Sequence, residues 1–165
     1  MEKQVTSTET NGIIKELISL LKKGNAHASF NDAIKNIPFD DLSKKPNNLP
    51  YSIWQLTRHI CITQKDILDF STNKNYKTLN WPGDYWPKES APENEAAWKK
   101  CIDEIQKDLK AFIELLKDEN ADLLTPFAHG DGQNLLREAL LIADHTSYHT
   151  GEIIIIRRLL GNWKN

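Results

Sequence analysis

The stretch ADHTSYHTGEIIIIRRLLG, residues 143–161, decides the fold prediction for this chain. It is one of the most apolar helical segments, yet it carries His145 and His149 one helical turn apart. At about 100° per residue, both imidazoles lie on the helix face that also carries Ile142, Ile153 and Ile156. Because a buried imidazole is costly unless a partner satisfies it, this helix predicts a polar site inside the core.

Four segments of the sequence have the apolar periodicity of helices, at about residues 11–37, 53–70, 92–117 and 133–160. Ser52 and Ser90 each open a capping-box pattern, which predicts the starts of the second and third helices. The GDG at 130–132 supplies the entry turn of the fourth helix, and Gly161 follows its end. No segment indicates a strand. The fold class is therefore predicted to be all-α, a four-helix bundle.

A long connection of residues 71–91 separates the second and third helices and contains Trp81, Tyr85 and Trp86. A loop of about 20 residues is unusual in a compact domain unless it has a function. It is long enough to cross a bundle of about 30 Å. Helices two and three can then run parallel, which gives an up-down-down-up topology, and the aromatic side chains are candidates to roof a cavity.

Length and charge bound the class of protein. The 165 residues fit one domain, 1–165, whose polar residues 1–10 are expected to be a frayed N-terminus. A formal net charge of −2 argues against nucleic-acid binding. No apolar run approaches the roughly 18 residues of a membrane span, and a cytoplasmic location is predicted. Cys61 and Cys101 have no metal-type or redox spacing, so reduced thiols are expected.

A third histidine joins the first two by the same projection. His59 lies between Leu56 and Thr63 on the inward face of helix two, with Asp66 two turns later. Inward side chains on facing helices are how helical bundles hold metals. Three imidazoles suit one divalent transition metal, with zinc favoured and nickel, iron or manganese open. Three protein ligands leave a coordination position for water or substrate, as in catalytic sites.

Several polar residues are candidates to act beside such a metal. Acceptors behind the ligands, or a general base, are sought among Asp66, Asp144, Glu138 and Glu152. His129 precedes helix four and is a candidate substrate contact or proton shuttle. The residues predicted to be catalytic are therefore Asp66, Glu152 and His129. His27, at the edge of the first helix, is a further candidate ligand.

Two other interpretations remain open at this point. A closed sphere with His27 or His129 as fourth ligand would indicate a non-catalytic protein that sequesters a metal or small ligand under stress. Histidines paired with Asp66 or Glu152 in a site that holds no metal would support a purely structural helical dimer. The H-x-x-x-H spacing alone is weak, and Thr146 excludes the H-E-x-x-H pattern of zinc proteases.

Four parts of the chain carry a resemblance to a known family. The helix-two pattern W-x-x-x-x-H, followed in helix four by D-H-x-x-x-H-x-G, is the strongest signal. The matching parts are GNAHASFNDAI (24–34), LPYSIWQLTRHICITQKDILDF (49–70), WPGDYWP (81–87) and AHGDGQNLLREALLIADHTSYHTGEIIIIRRLLG (128–161). In this combination and order, the sequence resembles the DinB family, also called DinB/YfiT-like metalloenzymes.

The resemblance implies an up-down-down-up four-helix bundle, often dimeric, with metal ligands at His59, His145 and His149. Members of the family include transferases and isomerases that use low-molecular-weight thiols, and hydrolases. The function expected is thus a metal-dependent hydrolase or thiol-dependent transferase. The expected partners are a small-molecule substrate, such as a thiol, and a second copy in a homodimer, with no nucleic acid or membrane.

Overall fold

The computed structural model describes residues 7–163, and throughout that range the regular structure is helical, without a strand. This confirms the all-α prediction. Short 3-10 turns cover Phe39–Asp41 and Pro46–Asn48. The α-helices are α1 (Ser7–Lys23), α2 (Phe30–Ile34), α3 (Ile53–Thr72), α4 (Glu95–Leu116) and α5 (Leu135–Leu159). Within the described range, no helix combines the length and apolarity needed to cross a bilayer.

The first predicted helix, residues 11–37, is wrong as a single element. It begins earlier, at Ser7, so residues 7–10 are helical, while residues 1–6 lie outside the described range. It ends at Lys23 because Gly24 and Asn25 adopt φ values of +64° and +44°. A Cβ at Gly24 would lie 2.9 Å from the ring of His27, so the tight turn requires glycine. Gly24 therefore ends α1.

The start of α3 follows the capping box predicted from the sequence. The Gln55 amide donates to the Ser52 hydroxyl at 3.2 Å, and the Ser52 amide donates to the Gln55 side chain at 3.2 Å. Both bonds satisfy amides that the first helical turn leaves free. The Ser52 hydroxyl also donates to the carbonyl of Ser90 at 2.7 Å, which ties the start of α3 to the loop before α4.

The other long helices begin later than the sequence predicts. The Asn94 side chain, not that of Ser90, caps α4 by accepting the amide of Ala97 at 2.9 Å. Asn134 caps α5 in the same way, two residues after the GDG turn. Asparagine is a favoured N-cap residue because its side-chain oxygen reaches the free amides of the first turn. The end of α5 is as expected, since Gly161 follows it with φ of +74°.

Helix α3 packs against both α4 and α5, and two apolar clusters fill the interior. The first cluster is Ala33, Leu42, Ile53, Trp54, Leu56, Ile60, Cys61, Cys101, Ile105, Ile153 and Ile156. The second is Leu17, Ile67, Phe112, Leu116, Leu123, Leu135, Ala139 and Ile142. Along α5 the sequence passes from Ile142 in one cluster to Ile153 in the other. His145 and His149 lie between these positions, with apolar packing on either side.

Candidate metal centre

The structure brings together the three histidines predicted as ligands. His59 comes from α3, and His145 and His149 come from consecutive turns of α5. One ligand nitrogen from each of the three lies within 4.8 Å of the others. His59 and His149 are buried, with 3% and 6% of their surface exposed, and His145 is half-buried. Three imidazoles therefore converge between two helices in a largely dry setting.

The hydrogen bonds of the rings determine which nitrogen faces the cluster. His59 Nδ1 lies 2.9 Å from the carbonyl oxygen of Tyr85, which can only accept, so Nδ1 carries the proton. His149 Nδ1 lies 2.6 Å from a carboxylate oxygen of Glu152 and donates to it in the same way. In the neutral form, each of these two rings keeps its Nε2 lone pair free for the cluster.

The rings of His59 and His145 are also held in the neutral form that binds metals. Burial, followed by the neighbouring imidazoles of His149 and His59, lowers the pKa of His145 to about 3. Burial likewise lowers the pKa of His59, although the hydrogen bond to the Tyr85 carbonyl opposes it. Only a neutral imidazole can bind a metal ion, so these lowered pKa values favour metal binding by His59 and His145.

The donor set fits a divalent transition metal. His59 Nε2 and His145 Nε2 lie 3.0 Å apart. Two imidazole nitrogens bound to one tetrahedral zinc ion lie roughly 3.3 Å apart, so this pair needs only a small adjustment. Outer nitrogens that donate to a carbonyl and a carboxylate are the usual surroundings of metal-bound histidines. Since His59 Nδ1 carries the proton of that neutral ring, His145 Nε2 is the donor when it bonds His59 Nε2 directly.

The α3–α4 connection, residues 73–94, supplies one wall of the site. The Trp86 ring stacks on that of His59 with centroids 3.8 Å apart and planes 9° apart. Tyr51 stacks on the other face of Trp86 at 3.9 Å. The sequence marked this loop by its aromatic residues but did not assign Tyr85 or Trp86 to the site. Trp81, in contrast, is 72% exposed.

Among the predicted catalytic residues, Glu152 is the one that bonds a predicted ligand directly, since its carboxylate accepts from His149 Nδ1. Asp66 accepts hydrogen bonds from the hydroxyls of Tyr76 and Tyr85, both at 2.7 Å. It therefore reaches His59 indirectly, through the main chain of Tyr85. Burial, followed by the nearby carboxylate of Asp66, raises the pKa of Tyr76 to about 12. Both hydroxyls remain protonated donors at neutral pH.

The two further carboxylates considered from the sequence take other places. Glu138 is buried, with 2% exposure, and its carboxylate lies 2.5 Å from the guanidinium of Arg137. Burial raises the pKa of Glu138, and the ion pair with Arg137 opposes it. Asp144 is exposed on α5. No hydrogen bond of the described residues joins either carboxylate to the three imidazoles.

The structure does not bring His27 or His129 into the cluster. His27 uses Nε2 toward the Ser147 hydroxyl and Nδ1 toward the Ala28 carbonyl, each at 2.9 Å. His129 Nε2 lies 2.9 Å from the carbonyl of Phe70. Phe70 is eleven residues beyond His59 on α3, or about 16 Å along the helix. The metal cluster of the described residues therefore consists of His59, His145 and His149.

Three converging imidazoles, two of them buried, define an all-α protein with a candidate three-histidine metal centre. The family model of the DinB superfamily matches residues 25–153, which is more than half of the chain and includes all three histidines. The chain belongs to the DinB superfamily, which confirms the resemblance. Searches of curated proteins and of solved structures gave no match.

Proposed function

We propose that this chain is a metal-dependent enzyme of the DinB superfamily that acts on a small molecule as a hydrolase or thiol-dependent transferase. One divalent transition metal is held by His59, His145 and His149. The convergence of these three ligand nitrogens within 4.8 Å carries the proposal. It gains support from the outer nitrogens of His59 and His149, which are already bonded to protein acceptors.

The chemistry follows from the number and kind of donors. Three imidazoles favour zinc, and nickel, iron or manganese also accept such a donor set. When bound, a divalent ion supplies Lewis acidity, which lowers the pKa of a water or thiol that reaches it. Three protein ligands leave room for that water or thiol, whereas a purely structural site is closed by four.

The surrounding side chains have separate roles in this proposal. Glu152 orients His149 and is the nearest carboxylate available to take up a proton from a substrate or water. Asp66 holds the hydroxyl of Tyr85 and so fixes the carbonyl that orients His59. His129 as a substrate contact stays a prediction, since its hydrogen bond to Phe70 lies toward the far end of α3.

Metal content tests the site itself. The protein is purified without a histidine tag, reconstituted with zinc, and passed through a desalting column before elemental analysis. We expect one ion per chain, and less than a tenth of that after His59→Ala, His145→Ala or His149→Ala. His27→Ala and His129→Ala are matched histidine controls and should keep the ion. Zinc retained by all three ligand variants would contradict the site.

Cobalt substitution separates an enzyme from a sequestering protein. A low-molecular-weight thiol that reaches the Co²⁺ ion adds a sulfur-to-metal charge-transfer band in the near ultraviolet and changes the visible spectrum. A spectrum insensitive to thiols and to small anions would indicate a closed sphere and favour the non-catalytic alternative. A screen of thiol acceptors against hydrolysable esters and amides then distinguishes transferase from hydrolase.

We also propose the up-down-down-up four-helix bundle for α1, α3, α4 and α5. Contacts between α3 and α4 rise together in residue number, as in parallel helices. They include the tilted rings of Trp54 and Trp98, and the Gln64 side chain on the Ile105 carbonyl at 2.6 Å. Spin labels placed near the N-termini of α3 and α4 should therefore lie close together.

The homodimer and the cytoplasmic location stay predictions. Sedimentation tests the first, and cell fractionation tests the second.

A further inference from the structure

A second cluster of reactive side chains lies where α3 packs against α4, and it takes no part in the metal centre. Cys61 of α3 and Cys101 of α4 are both free thiols. They are 5% and 1% exposed. The sequence gives no hint of a pair, because forty residues separate the two cysteines. The fold brings them to facing positions on neighbouring helices.

Several contacts place the two thiols beside each other. Cys101 Sγ lies 3.9 Å from the carbonyl of Thr57, one helical turn before Cys61. Cys61 Sγ lies 3.5 Å from a carboxylate oxygen of Glu104, just under one turn beyond Cys101. Each sulfur therefore contacts a residue within about one turn of the other cysteine. We call Cys61 and Cys101 the thiol pair.

A cation lies against the thiol pair. Arg58 Nη1 is 3.5 Å from Cys61 Sγ and 3.1 Å from the Glu104 carboxylate. The hydrogen bond from Cys61 lowers the pKa of Cys101, and the Arg58 guanidinium lowers it further. Thiolates beside an arginine are the reactive form of cysteine. This setting differs from that of an inert cysteine in a purely apolar core.

Small molecules can approach the thiol pair from two sides. Cys61 lines an open cleft of about 670 Å³, and Cys101 lines a second cleft of about 350 Å³. Arg58 and Glu104 line both clefts. The side chains of Arg58 and Glu104 are 30% and 40% exposed, so the ion pair between the thiols and the solvent is itself partly solvated. An ion pair of this kind is weak and opens at little cost.

We propose that Cys61 and Cys101 form a reversible intramolecular disulfide when the protein meets a hydroperoxide. One thiol of the pair releases its proton to solvent, and the resulting thiolate attacks the terminal peroxide oxygen. A sulfur–oxygen bond forms, the oxygen–oxygen bond breaks, and the leaving alkoxide or hydroxide takes a proton from water. The other thiol then attacks the sulfenic acid, forming the disulfide and expelling hydroxide, which leaves as water with the proton of that thiol. Two thiols are thereby oxidised and one peroxide is reduced to an alcohol, or to water.

Intact-mass spectrometry of the wild-type protein tests the proposal. The zinc-loaded protein is used, because zinc is redox-inert. Hydrogen peroxide at a few equivalents should remove about 2 Da per chain, and a dithiol reductant should restore the mass. A non-reducing peptide map should recover Cys61 joined to Cys101. Cys61→Ser and Cys101→Ser, checked for folding by circular dichroism, should not show the loss.

A matched pair of variants tests the part played by the cation. Arg58→Gln should slow disulfide formation several-fold, because the thiolate loses its neighbouring charge. Lys100→Gln is the control, since Lys100 contacts the same Glu104 carboxylate at 3.9 Å but is 78% exposed. Its rate should match the wild type. Equal slowing by both variants would contradict a role for the Arg58 charge.

The wild-type experiment can also give results that would contradict the proposal. In one such result, the two thiols stay reduced in the folded chain but oxidise after guanidinium unfolds it. Another is disulfides found between two chains. A third is mass gains from separate oxidation of each cysteine without the 2 Da loss. None of these results depends on a variant that fails to fold.

Discussion

Tyr85 links His59 to Asp66, one through its main chain and the other through its side chain. Its main-chain carbonyl accepts from His59 Nδ1 at 2.9 Å, and its hydroxyl donates to the Asp66 carboxylate at 2.7 Å. A residue of the α3–α4 connection therefore bridges two residues of α3 that lie two turns apart. The loop sets the orientation and the protonated nitrogen of one predicted ligand, so we expect its conformation to affect metal affinity.

The first prediction concerns this bridge. Tyr85→Phe removes the hydroxyl that anchors the loop to Asp66, and we expect it to weaken zinc affinity about tenfold. Tyr76→Phe is a matched control, because Tyr76 donates to the other oxygen of the same carboxylate but does not contact His59. Competition with a chromophoric chelator measures both affinities. Equal losses of zinc affinity in the two variants would show that the link from Asp66 through Tyr85 to His59 has no special effect on the site.

The second prediction concerns the acceptor behind His149. Glu152→Ala removes the carboxylate that lies 2.6 Å from His149 Nδ1, leaving the ring free to turn or change tautomer. We expect zinc affinity to fall about 10- to 100-fold, the usual cost of losing such a partner. Glu152→Gln keeps an acceptor oxygen and should recover part of the loss. Asp144→Ala, an exposed carboxylate beside His145, should bind zinc as the wild type does.

The third prediction concerns the aromatic wall. Trp86→Ala removes a ring stacked between Tyr51 and His59, and we expect it to lower the free energy of unfolding by about 2 kcal/mol. Trp81→Ala, in the same loop but 72% exposed, should change it by less than about 0.5 kcal/mol. Urea unfolding followed by circular dichroism measures both. Similar values for the two variants would mean that Trp86 contributes no more than a surface residue.

The inward face of each ligand was predictable because it depends on the geometry of its own helix. His145 and His149 share one helix, so their common face follows from 3.6 residues per turn. The position of His59 was fixed by a helix start that the Ser52 capping box marks clearly. Where the local signal was ambiguous, the prediction was wrong. Ser90 has a capping pattern, but its carbonyl accepts from Ser52, and α4 begins at Glu95 with Asn94 as its N-cap.

The rest of the site depends on contacts that residue patterns do not encode. The Tyr85 group that orients His59 is a main-chain carbonyl, which every residue possesses, so no side-chain motif marks it. Trp86 and Trp81 look alike in the sequence, and packing on Tyr51 and His59 distinguishes them. The thiol pair likewise arises from the register of α3 against α4. Spacing along the chain contains no information on that register.

The last prediction uses the acid dependence of a contact far from the metal centre. Asp41 accepts hydrogen bonds from Lys44 and from Asn162, both at 2.6 Å, and these bonds, that of Lys44 first, lower the pKa of its carboxyl. The stabilisation is therefore fully present above the unfolded aspartate value of about 3.9, and is lost as the pH falls through the lower folded value. Asp41→Asn should cost about 1 kcal/mol in urea unfolding at pH 7 and much less at pH 3. Asp40→Asn, which changes an exposed neighbour, should cost little at either pH. A deficit of Asp41→Asn that stays constant from pH 7 to pH 3 would mean that the packing of the side chain, not its charge, holds the C-terminal segment in place.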